Sequence, residues 1–210
     1  MDFALARTNM VKSQVLPNHI FHDGLLDAMQ NTAREPFVLP SHQMFAYSDF
    51  ALPMSPLRRS LKPLQIARLL DALEISPGQK ILLVGAGTGY EALLAARLGA
   101  QVFALESDAS LVAIGQTVDQ GLLTWHVGPL AAGWAEEAPF DGILLCGAVP
   151  AIPDPLLAQL QPQGTLVAIE GNDGDPVMAI VRLRGNKKEI LSETIAFPLL
   201  AGEQDQPFVL

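Results

Sequence analysis

The sequence predicts an α/β fold built on a doubly wound, mostly parallel β-sheet, with a helical N-terminal arm and a C-terminal antiparallel β-hairpin. Helix-like and strand-like apolar patterns alternate between residues 63 and about 170, which is typical of a parallel sheet covered by helices on both faces. A glycine-rich turn follows the first apolar strand of this region. Near the end, two β-like runs are joined by Gly185-Asn186-Lys187, and such a short polar connection indicates a hairpin.

Residues 1–62 are predicted to form a mostly helical arm with irregular connections. A first helix over residues 2–14 stops before the next proline, and Asp23 can cap a second helix that follows it. Pro36 and Pro40 then forbid a regular helix, because proline lacks an N–H donor and restricts the residue before it. We interpret residues 46–49 and 53–56 as loops.

Residues 63–170 carry the alternation that predicts the sheet. Pro63 fits the first turn of a helix, and apolar side chains recur from Ile66 at i, i+3, i+4 and i+7, which is one face of a helix. Short apolar runs are typical of strands buried on both faces. The predicted strands are residues 80–84, 101–105, 123–127, 142–145 and 165–169, and the predicted helices between them are residues 90–98, 109–118 and 154–160.

Residues 171–210 break the alternation. They hold β-like runs over residues 176–184 and 189–197 and a polar tail at 202–206. A length of 210 residues suits one domain that buries a sizeable core. We therefore predict a single domain over residues 1–210, made of the arm, the α/β core and the hairpin with its tail.

The composition excludes several classes of protein. Lys and Arg number 13 against 22 Asp and Glu, a formal charge of −9, and this acidity disfavours nucleic acid as a partner. A single cysteine excludes a disulfide framework and a cysteine-based zinc site. No apolar run approaches the roughly 18 residues of a membrane span, and no signal peptide is visible. We therefore expect a cytoplasmic protein with no membrane partner.

The main functional motif is the turn Gly85-Ala86-Gly87-Thr88-Gly89-Tyr90, which follows an apolar strand and opens a helix. Glycines at alternate positions let a ligand approach the backbone without an intervening Cβ, and the helix N-terminus offers free N–H groups. Glu106, at the end of the next strand, suits a carboxylate that accepts hydrogen bonds from the ribose hydroxyls of a nucleoside. The alternative is a tight strand–helix connection whose small residues serve packing only.

The form of this turn distinguishes between nucleoside cofactors. Its G-x-G-x-G pattern lacks the third glycine of the dinucleotide fingerprint, which supports close helix–strand packing beside a pyrophosphate. No Gly-Lys-Ser/Thr follows, so the turn is not a phosphate loop. S-adenosylmethionine carries adenosine without a pyrophosphate and is therefore the predicted cofactor.

Stretches along nearly the whole chain resemble the protein-L-isoaspartate O-methyltransferase family. Residues 10–14 are similar to the family's M-V-x-x-Q start, residues 34–38 to its R-E-x-F-V segment, and residues 46–53 to its A-Y-x-D-x-x-L-P stretch. The similarity continues through the glycine-rich turn to Phe-Pro-Leu at 197–199, which resembles the family's closing F-V-P-L. The order and spacing of these pieces make the resemblance specific.

The resemblance implies a carboxyl O-methyltransferase. Such an enzyme methylates the free α-carboxylate of an isoaspartyl residue in a protein or peptide, and the ester collapses to a succinimide that can reopen as normal aspartate. Because a carboxylate is already a nucleophile near neutral pH, catalysis is mainly positioning in a site without water. The motif and the resemblance together predict these cofactor-binding residues: Gly85, Ala86, Gly87, Thr88, Gly89, Tyr90, Glu106, Ser107 and Gly128.

The chain departs from the family pattern close to the chemistry. The family's I-S-x-P motif places a serine beside the methyl donor, whereas Leu61 stands there and Ser60 precedes it. A one-residue shift would restore the hydroxyl, so Ser60 is the predicted catalytic residue. Leu83 replaces an acidic residue before the first glycine, and Pro129 replaces an aspartate that would contact adenine. Two alternatives stay open: another substrate for the same cofactor, or a homologue without methyl transfer that acts as a binding protein.

Arg58, Arg59 and Lys62 form a local basic cluster in an acidic chain. We predict that they bind the carboxylate of the substrate, and the alternative is a solvated loop. Tyr47 lies in the substrate-side loop that the resemblance implies, where it either contacts substrate or packs the arm on the sheet. The histidines do not form a set of ligands, so no metal site is predicted.

Overall fold

The computed structural model describes residues 1–172, 174–175, 177–185 and 187–199. Pro176 and Asn186, which are predicted to belong to the C-terminal hairpin, lie outside the described residues, as does the polar tail at 202–206.

The N-terminal arm begins with helices and ends in a small two-stranded sheet. The interpretation of residues 53–56 as a loop is wrong, because strand β1 (Pro53–Ser55) pairs antiparallel with strand β2 (Arg58–Arg59). Strands of this length are too short to show a period-two pattern in the sequence. The helical part consists of α1 (Phe3–Met10), a π-helical turn (Val11–Val15), α2 (Asp23–Asn31), and 3-10 turns at Leu16–Asn18, Glu35–Phe37 and Pro40–Phe45.

The α/β core follows the predicted alternation. Its elements are α3 (Pro63–Leu73), β3 (Lys80–Val84), α4 (Tyr90–Arg97), β4 (Gln101–Glu106), α5 (Ala109–Val118), β5 (Leu123–Val127), β6 (Phe140–Val149), α6 (Asp154–Ala158), β7 (Leu160–Glu170), β8 (Met178–Arg184) and β9 (Lys187–Thr194), with 3-10 turns at Leu130–Ala132 and Ala135–Glu137.

Seven of these strands form one sheet in the order β5-β4-β3-β6-β7-β8-β9. Strands β3 to β7 are parallel, and β8 and β9 are antiparallel additions. The predicted doubly wound, mostly parallel sheet with a C-terminal hairpin is therefore confirmed. Several boundaries differ from the prediction: β6 and β7 are longer at both ends, and β9 spans Lys187–Thr194 instead of residues 189–197. Helix α6 is shorter because β7 already begins at Leu160, where it pairs with Phe140 of a longer β6.

The central strands of the sheet are buried on both faces. Leu83 of β3 joins a core that the arm shares through residues such as Met10 and Leu25, whereas Leu82 and Val84 face a second core on the opposite side. Successive strand residues point to opposite faces, so a central strand needs apolar side chains throughout. The arm thus packs directly on the helices and strands that carry the glycine-rich turn.

In the described part of the chain, no helix combines the length and the apolarity needed to cross a membrane. Among the same residues, no three side chains of the metal-binding types come together.

Candidate functional site

The glycine-rich turn connects β3 to α4 at the carboxyl end of the sheet. The φ angles of Gly85, Gly87 and Gly89 are 76°, 58° and 91°, a region that residues with a Cβ rarely adopt. The N–H groups of Gly85 and Ala86 donate to the carbonyl of Leu105 at 2.8 and 3.0 Å. The turn is therefore fixed to the end of the neighbouring strand β4.

Glu106 is the polar centre of this region and is fully buried, with 0% of its surface exposed. Its Oε2 accepts hydrogen bonds from the N–H of Gly87 at 2.8 Å and from Nη2 of Arg58 at 2.9 Å. Its Oε1 accepts from the backbone of Ser107 and Asp108 at 2.8 and 3.1 Å and from the Ser107 hydroxyl at 3.2 Å. The carboxylate thus joins the glycine-rich turn to the start of α5.

Arg58 reaches this centre from the two-stranded sheet of the arm. Besides its ion pair with Glu106, it donates from Nη1 to the carbonyl of Leu199 at 2.5 Å. Leu199 in turn is held at the end of β6, because its N–H donates to the carbonyl of Ala148 at 2.7 Å. The buried guanidinium of Arg58 therefore links the arm and β4 to residues 195–199, which follow β9 and are called the C-terminal segment below.

The side chains of Arg58, Leu199 and Met54 cover the first two glycines of the turn. A Cβ built on Gly85 would lie 2.5 Å from Nη2 of Arg58 and would overlap Cδ1 of Leu199. A Cβ built on Gly87 would overlap Cε of Met54. The N–H donors of the turn and the carboxylate of Glu106 match the chemistry of a nucleoside. Side chains of the arm and the C-terminal segment, however, fill the space directly in front of these groups.

The other predicted cofactor residues surround this centre. Gly128 donates its N–H to the carbonyl of Glu106 at 3.1 Å, and Ser107 lines a cavity of about 410 Å³ beside Arg58. Thr88 donates to the carbonyl of Phe37 at 2.6 Å and lines a separate, largely apolar cavity of about 260 Å³. The structure thus brings Gly87, Ser107 and Gly128 together at Glu106, whereas Thr88 lies on the side of the turn that faces Phe37.

Tyr90 occupies the interior behind the turn. Its ring packs edge-on against Phe37 with centroids 5.5 Å apart, and the Arg34 guanidinium lies 5.5 Å from its centroid. Burial raises the pKa of Tyr90. Its hydroxyl is buried without a hydrogen-bond partner in the described part of the chain.

Ser60, the predicted catalytic residue, takes part in a network around Arg34. Its hydroxyl oxygen accepts from the Leu52 N–H at 3.1 Å and from Nη2 of Arg34 at 3.2 Å. The same Arg34 nitrogen donates to the carbonyl of Leu61 at 2.6 Å, and its Nη1 donates to the carbonyl of Ala46 at 2.9 Å. No role for the Arg34 side chain was predicted, because its buried position depends on contacts far apart in the chain.

Tyr47 has polar partners within the arm. Its hydroxyl donates to Glu35 and accepts from Arg7 at 3.2 Å and from the N–H of Arg34 at 3.0 Å. Burial raises the pKa of Tyr47, and the hydrogen bond to Glu35 raises it further. A role in substrate binding stays a prediction for this side chain.

The three basic residues of the predicted cluster have different surroundings. Arg58 is buried against Glu106, whereas Arg59 is exposed and stacks its guanidinium 4.6 Å from the centroid of Phe197. Lys62 lines another cavity, of about 320 Å³, together with Asp49. Arg59 and Lys62 are thus nearer to solvent than Arg58, and their binding of a substrate carboxylate stays a prediction.

Comparison with known proteins gives consistent results. A family model described as Protein-L-isoaspartate(D-aspartate) O-methyltransferase matches residues 6–202. A Protein-L-isoaspartate O-methyltransferase of Methylorubrum extorquens is 39% identical over 89% of this chain and 83% of its own length. A protein of the same name from Koribacter versatilis is 34% identical over 98% of this chain and 95% of its own length.

Two solved structures have the same fold. A protein-L-isoaspartate O-methyltransferase superimposes with a TM-score of 0.78 at 18% identity, covering 91% of this chain, which spans 65% of that longer chain. A Plasmodium falciparum protein in complex with S-adenosyl-L-homocysteine gives a TM-score of 0.76 at 18% identity, over 92% of this chain and 97% of its own. At this identity the likeness shows the fold alone.

Proposed function

The chain belongs to the protein-L-isoaspartate O-methyltransferase family, and we propose that it transfers a methyl group from S-adenosylmethionine to the α-carboxylate of isoaspartyl residues in proteins or peptides. One observation supports this most directly. The buried carboxylate of Glu106 lies beside the glycine-rich turn, 2.8 Å from the N–H of Gly87, at the carboxyl ends of two neighbouring parallel strands. Ligands of open α/β sheets bind at this edge.

The residues that would hold the cofactor follow from this arrangement. The glycine-rich turn, residues 85–90, would face the methionine part, and Glu106 with Ser107 would receive the ribose. Gly128, which follows β5, would lie towards the adenine. When bound, S-adenosylmethionine supplies a methyl group on a positively charged sulfur.

The chain's own contribution to the reaction is positioning. An isoaspartyl carboxylate is ionised near neutral pH, so no general base is needed to prepare it. The buried side chains of Phe37, Leu61 and Tyr90 keep water away from the interior of the arm–sheet junction, which favours transfer to the carboxylate over transfer to water. Ser60 is proposed to support this step, and Arg59, Lys62 and Tyr47 to bind the substrate.

The experiment is transfer of a radiolabelled methyl group from S-adenosylmethionine to an isoaspartyl peptide. The control substrate is the same peptide with normal aspartate at that position. We expect labelling of the isoaspartyl peptide only, with the label released on mild alkaline treatment because it is an ester. Binding of the cofactor without labelling of this peptide would favour another carboxylate substrate.

A second candidate function is a binding protein that has lost methyl transfer. The observation that favours it is the ion pair between Arg58 and Glu106, because this pair occupies the carboxylate that the ribose would need. Failure of the protein to bind S-adenosylmethionine at all would support this candidate. We further propose that the protein acts in the cytoplasm, where its single buried cysteine, Cys146, would stay reduced.

A further inference from the structure

The geometry points to a competition for Glu106: we propose that Arg58 occupies the ribose-binding carboxylate in the free protein and that the β1–β2 hairpin must withdraw when the cofactor binds. Arg58 thereby determines cofactor affinity. This inference rests on the proposed function, because it assumes that S-adenosylmethionine is the ligand.

The first argument is the ion pair itself. Nη2 of Arg58 lies 2.9 Å from Oε2 of Glu106, and both side chains are buried. Oε2 also accepts the N–H of Gly87, and Oε1 is engaged by Ser107 and Asp108. Both oxygens therefore already have partners, so a ribose hydroxyl can bind this carboxylate well only by displacing Arg58.

The second argument is space. Arg58 and Leu199 lie against Gly85 so closely that even a methyl group there would overlap them, and Met54 does the same at Gly87. Because these glycines have no Cβ, their backbone could be approached closely by a ligand, yet side chains of the arm and the C-terminal segment take that place. The hairpin thus blocks the turn as well as the carboxylate.

The third argument is the cavity beside the pair. A cavity of about 410 Å³ lies between the hairpin and the start of α5, lined by Leu57, Arg58, Ser107 and Leu199. Arg58 both lines this cavity and contacts Glu106. Withdrawal of its side chain would therefore extend the cavity towards the carboxylate and open a place for the ribose.

The fourth argument is that the hairpin can move without leaving Glu106 unpaired. Strands β1 and β2 comprise only three and two residues, and the side chain of Leu57 between them is exposed. Small elements with few buried contacts open at low cost. After Arg58 leaves, Glu106 keeps the donors from Gly87, Ser107 and Asp108.

Titration calorimetry with S-adenosylhomocysteine tests the competition on the full chain. We expect Arg58→Gln to bind about tenfold more tightly than the wild type, as when a closed state holds about nine-tenths of the molecules. Arg58→Lys keeps the charge but cannot contact both Glu106 and Leu199 as a guanidinium does, so its affinity should fall between the two. Arg97→Gln is the control, because Arg97 is exposed and pairs with Gln120 on a different surface.

The outcomes separate this inference from the proposed function. The competition is supported if Arg58→Gln binds more tightly than the wild type while the affinity of Arg97→Gln equals that of the wild type. It is also supported if Arg58→Gln binds and the wild type does not. Wild-type binding that equals or exceeds that of both Arg58 variants overturns the competition and leaves the proposed function intact. Absence of binding in all four folded proteins, checked by circular dichroism, overturns both. If Arg58→Gln does not fold, the comparison of Arg58→Lys with the wild type decides.

Discussion

The indole ring of Trp125 lies directly against the backbone of Gly89: a Cβ on this glycine would come within 2.8 Å of Cζ2 of the ring. The ring is held in place by a hydrogen bond from Nε1 to Asp119 at 2.7 Å. Gly89 also has a φ of 91° at the start of α4. The end of the glycine-rich turn is therefore constrained by backbone conformation and by side-chain contact together.

Gly89→Ala should lower the free energy of unfolding by about 2–5 kcal/mol, because positive φ costs about 1–2 kcal/mol and overpacking typically adds about 1–3 kcal/mol. Gly78→Ala is the matched control, since Gly78 has a φ of 86° and, among the described residues other than Gly78 and its chain neighbours, no atom lies within 4 Å of the position that a Cβ would take there. Urea unfolding of both variants measures the two contributions. Equal losses would show that the contact with Trp125 costs nothing.

Glu106→Ala should weaken binding of S-adenosylhomocysteine at least about tenfold, because a hydrogen bond to a charged group contributes about 1.5–3 kcal/mol. It should also destabilise the fold by about 1–3 kcal/mol, because the buried N–H groups of Gly87, Ser107 and Asp108 lose their acceptor, whereas Arg58 can reach water when the β1–β2 hairpin withdraws. Calorimetry and urea unfolding measure the two effects. Glu137→Ala is the control, since its pair with Lys80 is partly exposed and should change stability by less than about 1 kcal/mol. Unchanged affinity of a folded Glu106→Ala would remove the residue from the ribose site.

Ser60→Ala should lower the free energy of unfolding by about 1–3 kcal/mol, because the Leu52 N–H and the Arg34 guanidinium both lose an acceptor. Ser60→Thr keeps the hydroxyl and should recover part of this loss. The same variants assayed for kcat address the predicted catalytic role. A fall in kcat of more than about 100-fold with unchanged stability would assign Ser60 to the reaction rather than to the network.

Glu91→Gln should stabilise the protein more at pH 8 than at pH 4.5. Burial raises the pKa of Glu91, with partial compensation from the nearby Arg34 and Arg58. The folded state therefore binds a proton more tightly than the unfolded chain, so stability falls as pH rises from the unfolded pKa through the folded one. The uncharged glutamine removes that loss. Urea unfolding at both pH values measures the difference, and Glu136→Gln, at an exposed position, is the control. If Glu91→Gln changed the free energy of unfolding equally at both pH values, the raised pKa of Glu91 would be contradicted.

The sequence predicts the fold and the position of the central carboxylate for a simple physical reason. Parallel strands end at the same edge of the sheet, so the glycine-rich turn after β3 and Glu106 at the end of β4 must be neighbours. Neither prediction requires knowledge of distant contacts. The alternation of elements and this pair of motifs are thus readable from local patterns.

The partners of Arg58 and Ser60 could not be predicted in this way. Arg58 meets Glu106 and Leu199, which are far from it in the chain, and Ser60 meets Arg34. No periodicity or spacing encodes such contacts. The basic cluster predicts binding of a substrate carboxylate, and the structure shows that one of its members, Arg58, is buried against the carboxylate of Glu106.

The position of β9 at the end of the described sheet bears on how the protein behaves in concentrated solution. An edge strand can pair with a strand of another molecule, and here Ile190 and Leu191 are 73% and 41% exposed. Lys187, Lys188 and Glu189 at the start of the strand oppose such pairing. Mutual repulsion from a net charge of −9 adds to this protection near neutral pH but vanishes near the pI of about 4.8. Self-association through β9 should therefore set in as acidic solutions approach that pH, and unfolding at pH 4.5 is best followed in dilute samples.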